Sequence, residues 1–213
     1  MLRCHYFLGR KRSLSLDEFF RYWRERHAYA GERSPLIKRY VQSHRIPQVQ
    51  ADDFFDGVAE VWWENEEAAQ ESSRLTANKF IADEANFVAP GRREFLATAE
   101  HEILKPHGKD LIKGVFLIRR HPGLTVAEFR KYWFEVHSPQ VLKVPGMRGY
   151  VVCPTIDAAY TWAEPRWDGV SHVYWDNLES MAKAFASEEA KPVGEKAISA
   201  GSKFFFTREH LIY

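Results

Sequence analysis

Apolar and polar positions along the chain switch between two periods, and the order of the switches occurs twice. "CHYFLG" (4–9) and "GVFLIRR" (114–120) are short apolar runs with aromatic and β-branched residues, the pattern of strands. A helical stripe follows each. Leu16, Phe19, Phe20, Trp23 and His27 fall at i, i+3, i+4, i+7 and i+11, behind Ser15 as N-cap and Glu18 as the second half of a capping box. Val126, Phe129, Trp133 and His137 repeat the stripe behind Thr125 and Glu128. "IKRYVQSHRI" (37–46), "GMRGYVVC" (146–153) and the two "DGV" segments read as strands. Asn65 and Asn177 cap second helices over "EEAAQESSRL" and "LESMAKAFAS", and "REFLATAEHEIL" and "KFFFTREHLIY" close each round as strands. The predicted order is β-α-β-β-α-β, twice.

The residues repeat along with the pattern. "EFFRYWRERH" (18–27) and "EFRKYWFEVH" (128–137) share six of ten positions, each copy ending in histidine. Pro35 and Pro145 keep the same offset of 110, "FDGVAEVWWE" and "WDGVSHVYWD" match at 112, and "EHEIL" and "EHLIY" at 109. Internal self-similarity over this length marks a duplicated unit. The expected units are 1–104 and 111–213, joined by the Pro/Gly/charged linker "KPHGKD" (105–110). Each β-α-β-β-α-β unit makes an antiparallel sheet with both helices on one face. The other face needs a cover, and two units in one chain supply it by packing sheet to sheet, which leaves a pocket between the sheets as the expected site.

Composition narrows the function. Thirty Lys+Arg against 29 Asp+Glu leave a formal charge of +1, which gives no electrostatic footprint for nucleic acid or an anionic membrane. No run approaches the roughly 18 apolar residues of a membrane helix, and the start lacks the charged-then-apolar order of a signal peptide, so a cytoplasmic location is expected. Two cysteines, Cys4 and Cys153, predict reduced buried thiols. There is no G-x-G-x-x-G, P-loop, G-x-S-x-G or H-E-x-x-H, and the nine histidines show no metal-ligand spacing. No cofactor is expected, although a haem ligand such as His172 remains an alternative.

"LSLDEFFRYWRERHA", "RYVQSHRI", "FDGVAEVWWENEEAAQ" and "DEANFV" resemble the EthD-like proteins of the dimeric α+β barrel superfamily, and "PGLTVAEFRKYWFEVHSPQVLKVPGMRGYV" resembles the same domain again. The resemblance implies a pseudo-dimeric α+β barrel of two fused ferredoxin-like units. Its relatives include cofactor-free isomerases of muconolactones, polyketide cyclases and dehydratases, cofactor-free quinol monooxygenases, and haem enzymes. In the second unit "PTIDAAYTWAEPRW" replaces a polar loop, which places Tyr160, Trp162 and Trp167 at the expected pocket mouth.

Several residues are candidates for chemistry. His27 and His137 close their helices, where imidazole either bonds the terminal carbonyls or transfers protons at the barrel rim. Glu60 and His172 occupy equivalent central-strand positions and are costly to bury without a role. If the face shared with Asp56, Val58 and Trp62 turns inward, they form an acid/base pair in one pocket; otherwise they hydrogen-bond locally. Tyr40, with Gln42 and His44 on its strand face, and Tyr150 are expected to orient a carbonyl or phenol oxygen. Arg148 is positioned for a substrate carboxylate, and Tyr174, Trp162 and Trp167 for the walls. The resulting expectation is a cofactor-independent lyase or isomerase acting on an aromatic or polyketide-like acid in aromatic catabolism. The alternatives are a haem or oxygen-dependent oxidoreductase and a non-catalytic binder of aromatic ligands. Association through sheet edges, as a homodimer or higher homo-oligomer, is expected.

Overall fold

A computed structural model describes residues 1–30, 34–49, 55–161, 163–191, 199 and 201–213. The fold is α+β, two ferredoxin-like units with antiparallel strands, as the pattern predicts. β1 (Leu2–Arg10), α1 (Leu16–Glu25), β2 (Arg39–Arg45), β3 (Gly57–Trp63), α2 (Glu66–Glu84) and β4 (Val88–Ala99) come from the first repeat. β5 (His101–Leu104), β6 (Ile112–Ile118), α3 (Val126–Tyr132), α4 (Ser138–Val141), β7 (Met147–Pro154), α5 (Asp157–Tyr160), β8 (Gly169–Trp175), α6 (Leu178–Phe185) and β9 (Lys203–Leu211) follow. Both capping boxes form, Ser15 with Glu18 and Thr125 with Glu128.

One compact unit gathers Met1–Gln48, the residues on to Ala97, and Glu209–Tyr213; the other is built on Thr98–Arg208. In the first unit the strands run β4-β1-β3-β2, with Leu2 opposite Trp63 and Arg39 opposite Trp62. Beside β2, Tyr40 N–H donates to the Tyr213 carbonyl (2.6 Å) and Ile212 N–H to the Tyr40 carbonyl (2.9 Å). In the second unit the order is β9-β6-β8-β7-β5, with His101 opposite Val152. The matching segments "EHEIL" and "EHLIY" therefore each pair outside their own repeat.

The central strands β3 and β8 are buried at every position, so both of their faces are covered. The duplicated tryptophans show which face carries the helices. A Cβ on Gly57 would stand 2.5 Å from the Trp23 ring and 2.7 Å from the Ser43 carbonyl. On Gly169 it would stand 2.8 Å from the Trp133 ring and 2.6 Å from the Cys153 carbonyl. Glycine in a strand permits this close approach. Strand alternation then puts Ala59, Val61 and Trp63, and Ser171, Val173 and Trp175, under the helices. Trp23 and Trp133 are core, as the stripe predicts, and both cysteines are buried thiols. Burial pushes the Cys4 thiol up to about 12.

The aspartates of the two "DGV" segments fix strand ends. Asp56 accepts from the Arg10 N–H (2.7 Å) and Asp168 from the Arg120 N–H (2.8 Å). Among the described residues no helix is long and apolar enough to cross a membrane.

Candidate functional site

Each unit holds a cavity between its sheet and its helices, and the two are built from matching positions. His27, Tyr40, Val61 and Trp63 line the first; His137, Tyr150, Val173 and Trp175 line the second. The cavity volumes are about 140 Å³ and about 460 Å³. The helices that line them differ in length. α2 runs for 19 residues and sets Phe80 and Ile81 into the first cavity, whereas α6 has 8 and presents Ala184 and Phe185 to the second.

The duplicated histidines sit where their helices depart from α geometry. His27 opens a 3-10 turn, His27–Tyr29, directly after α1. His137 ends a π turn, Trp133–His137, between α3 and α4, in which the Ser138 N–H donates to the Trp133 carbonyl. Single π turns concentrate at functional sites because they re-aim the side chains that follow.

Their environments differ. His27 Nδ1–H donates to Asp83 Oδ2 (2.9 Å), and Asp83 also accepts from the Tyr22 hydroxyl (2.8 Å) and the Asn86 amide (3.0 Å). Burial works against the Asp83 carboxylate, but these donors outweigh it and hold its pKa below the ordinary value. An ionised carboxylate only accepts, so Nδ1 carries the proton and Nε2 the lone pair. Burial also lowers the His27 pKa, against the opposing pull of Asp83.

His137 has no such anchor. Its Nδ1 is buried with no hydrogen-bond partner among the described residues, and burial alone pushes its pKa down to about 4. The ring is neutral near pH 7. A proton on Nδ1 would leave a buried donor unsatisfied, so the favoured tautomer carries it on Nε2.

The tyrosines diverge too. The Tyr150 hydroxyl accepts from Trp133 Nε1–H (3.3 Å) and meets Ser138 Oγ at 3.3 Å. Ser138 gives its own proton to the Trp133 carbonyl (2.8 Å), so Tyr150 donates to Ser138 and is held at both ends. Burial pushes the Tyr150 pKa up to about 12. The Tyr40 hydroxyl accepts from Gln42 Nε2 (2.9 Å), and its own proton has no acceptor among the described residues. Gln42 reaches His44 through its carbonyl oxygen (3.1 Å), which joins the three residues that sequence had placed on one strand face.

Comparison with known proteins bears directly on these paired units. The model of the EthD domain matches residues 11–91 and again 121–206. The chain belongs to the EthD domain family. None of the curated proteins matches it. Among solved structures it is similar to an anthrone oxidase-like protein, at 9% identity and a TM-score of 0.67, over 99% of this chain and 92% of that one. It is also similar to a variant of chlorite dismutase from Candidatus Nitrospira defluvii, at 11% identity and a TM-score of 0.55, over 97% and 90% of the two chains. Identities this low speak for the fold alone.

Within the EthD units the other sequence candidates lie away from both cavities. Glu60 and His172 are fully buried on the strand face opposite the helices. Glu60 forms an ion pair with Arg3 and accepts from Ser43 Oγ (3.0 Å), the local-bonding alternative rather than a free acid. Tyr174 shares the His172 face, with Lys113 Nζ 5.8 Å from its ring centre. His44 lines neither cavity; it stacks on Phe20 and Trp23, and burial pushes its pKa down to about 2. Arg148 is exposed and paired with Asp176 (2.7 Å), so no cavity carboxylate site forms around it.

Among the described residues, the segment expected at a pocket mouth lines neither cavity. Tyr160 donates to Asp168 (2.8 Å), Arg120 pairs with Glu164 (2.5 Å), and Trp167 is buried with its carbonyl accepting from Thr155 (2.9 Å). Trp162 lies outside the described residues. Sequence reasoning gave no role to Asp83 or Ser138. Asp83 stood inside the quoted "DEANFV", whereas nothing local marks Ser138.

Proposed function

We propose that this protein is an enzyme whose chemistry takes place in the cavity of the second unit, on an apolar substrate of two or three fused rings bearing a phenol or enolisable carbonyl. The observation that carries the reading is His137, a neutral buried imidazole in the wall of a largely apolar cavity of about 460 Å³. That volume falls within the range of small-molecule sites and is about three times a cavity that admits benzene. Nε2–H of a neutral imidazole stabilises an oxyanion, so this wall favours an anionic ring oxygen. The bound ligand is thus its phenolate or enolate, with the proton released to solvent.

Such an anion has two fates. Proton return at another atom is the isomerase or lyase outcome expected from sequence. Electron transfer to O2 is the oxidase outcome, and we favour it because both similar structures carry redox names and an apolar cavity admits O2. The balance for a ring methylene is one O2 per substrate. The carbon loses both hydrogens and becomes a carbonyl with one oxygen atom of the O2, and the other atom leaves with the two hydrogens as water. The carbon gives up four electrons and the O2 takes up four. The test is O2 uptake by purified protein with a panel of anthrones and naphthols. One O2 per substrate is expected, falling at least 100-fold in His137→Leu. Isomerised or decarboxylated product without O2 uptake overturns the oxidase outcome. A Soret band in the active protein overturns the cofactor-free reading.

A further inference from the structure

The duplicated cavity in the first unit is not a relic of the second. Its walls have diverged in the opposite direction, toward fixed polarity. Asp83 locks the His27 tautomer so that Nε2 is an acceptor, and Nε2 carries no hydrogen bond among the described residues. Gln42 fixes the Tyr40 oxygen from behind, which leaves the hydroxyl proton as a donor. A carboxylate, a phenol and an amide all serve these two groups, yet no group among the described residues uses the acceptor and donor they present. In the second unit the equivalent tyrosine is tied at both ends and the equivalent histidine has no fixing partner there.

We infer that the first unit's cavity is a separate binding site for a one-ring phenol. Its hydroxyl donates to His27 Nε2 and accepts from Tyr40, and its ring rests among Val61, Trp63 and Phe80. One hydroxyl satisfies both groups because it is donor and acceptor at once. A carbonyl would satisfy only Tyr40, and an amine is poorly matched to its proton. Size supports one ring and excludes two, since a cavity of about 140 Å³ is close to the 150 Å³ that holds benzene. The larger substrate proposed for the second unit does not fit here, so the two sites take different ligands.

Calorimetry with phenol on the intact protein tests this. Phenol is expected to bind at one site. Anisole, which lacks the donor, is expected to bind at least fivefold more weakly, and Tyr40→Phe and His27→Leu to weaken phenol by a similar factor. Ala77→Phe, which fills this cavity from α2, is expected to abolish binding, while Ala184→Leu, which narrows the cavity of the second unit, leaves it unchanged. Should His27→Leu fail to fold, the 15N shifts of the His27 ring in the native protein decide. A phenol-induced shift of Nε2 with Nδ1 unmoved is the expected result. Equal binding of anisole, no binding of phenol, or loss of binding in Ala184→Leu rather than Ala77→Phe overturns the assignment.

Discussion

Replacing His137 by leucine tests the burial argument apart from any reaction. In the folded protein this ring titrates at about 4 because it is buried with no compensating partner, whereas in the unfolded chain it titrates near 6.5. Above pH 6.5 both states hold it neutral and it adds no pH dependence. Below that, the unfolded chain takes up the proton first, so folded stability falls with pH and the loss is complete below about pH 4. The gap corresponds to about 3 kcal/mol in full, of which about 2 kcal/mol is lost by pH 5. Urea unfolding followed by tryptophan fluorescence, at pH 7 and pH 5, measures it. His44 is depressed in the same direction, and the carboxylates also titrate, but both proteins share these groups and they cancel in the difference. The leucine variant is expected to lose about 2 kcal/mol less than the wild type between the two pH values. Parallel losses would refute the claim that His137 is held neutral by burial.

Two further outcomes follow from the packing. Gly57→Ala and Gly169→Ala force a methyl group against a tryptophan ring and a strand carbonyl at once, and each is expected to cost about 2 kcal/mol in urea unfolding; a cost under about 0.5 kcal/mol, the ordinary scatter of surface substitutions, would mean that the helix does not rest there. Glu60→Ala removes the carboxylate bonded to buried Arg3 and is expected to cost about 3 kcal/mol or more, with phenol binding per folded molecule unchanged because Glu60 lines neither cavity. Weakened binding in a protein of full stability would place Glu60 in a site.

Much of this architecture was legible in the sequence. Ser15/Glu18 and Thr125/Glu128 announced the helix starts, and the shared residues of the two stripes announced the duplication. The face of the central strands was not legible, because Gly57–Trp63 and Gly169–Trp175 are buried throughout. Alternation identifies a buried face only when the other face is wet. Glu60 and His172 therefore drew attention as polar residues among apolar ones, although their face is opposite the cavities. A usable signal was present in the repeated pairing of a strand glycine with a helix tryptophan. Gly57 and Gly169 mark the helix side, and counting from them brings Val61 and Val173 to the cavities. His27 and His137 were named as candidates from the stripe alone. The split in their roles depends on Asp83, 56 residues away from His27, and no local pattern reveals such a contact.

The position of Glu209–Tyr213 beside β2 has a consequence for synthesis on the ribosome. Strands β1 to β4 emerge early, but the free edge of β2 has no partner until the whole second repeat has been translated. Through that interval the nascent chain carries an open strand edge, the kind of surface that pairs with other chains. Duplication and fusion have thus postponed completion of the first unit until after the second repeat has been made, and the protein is expected to depend on holding chaperones during that interval.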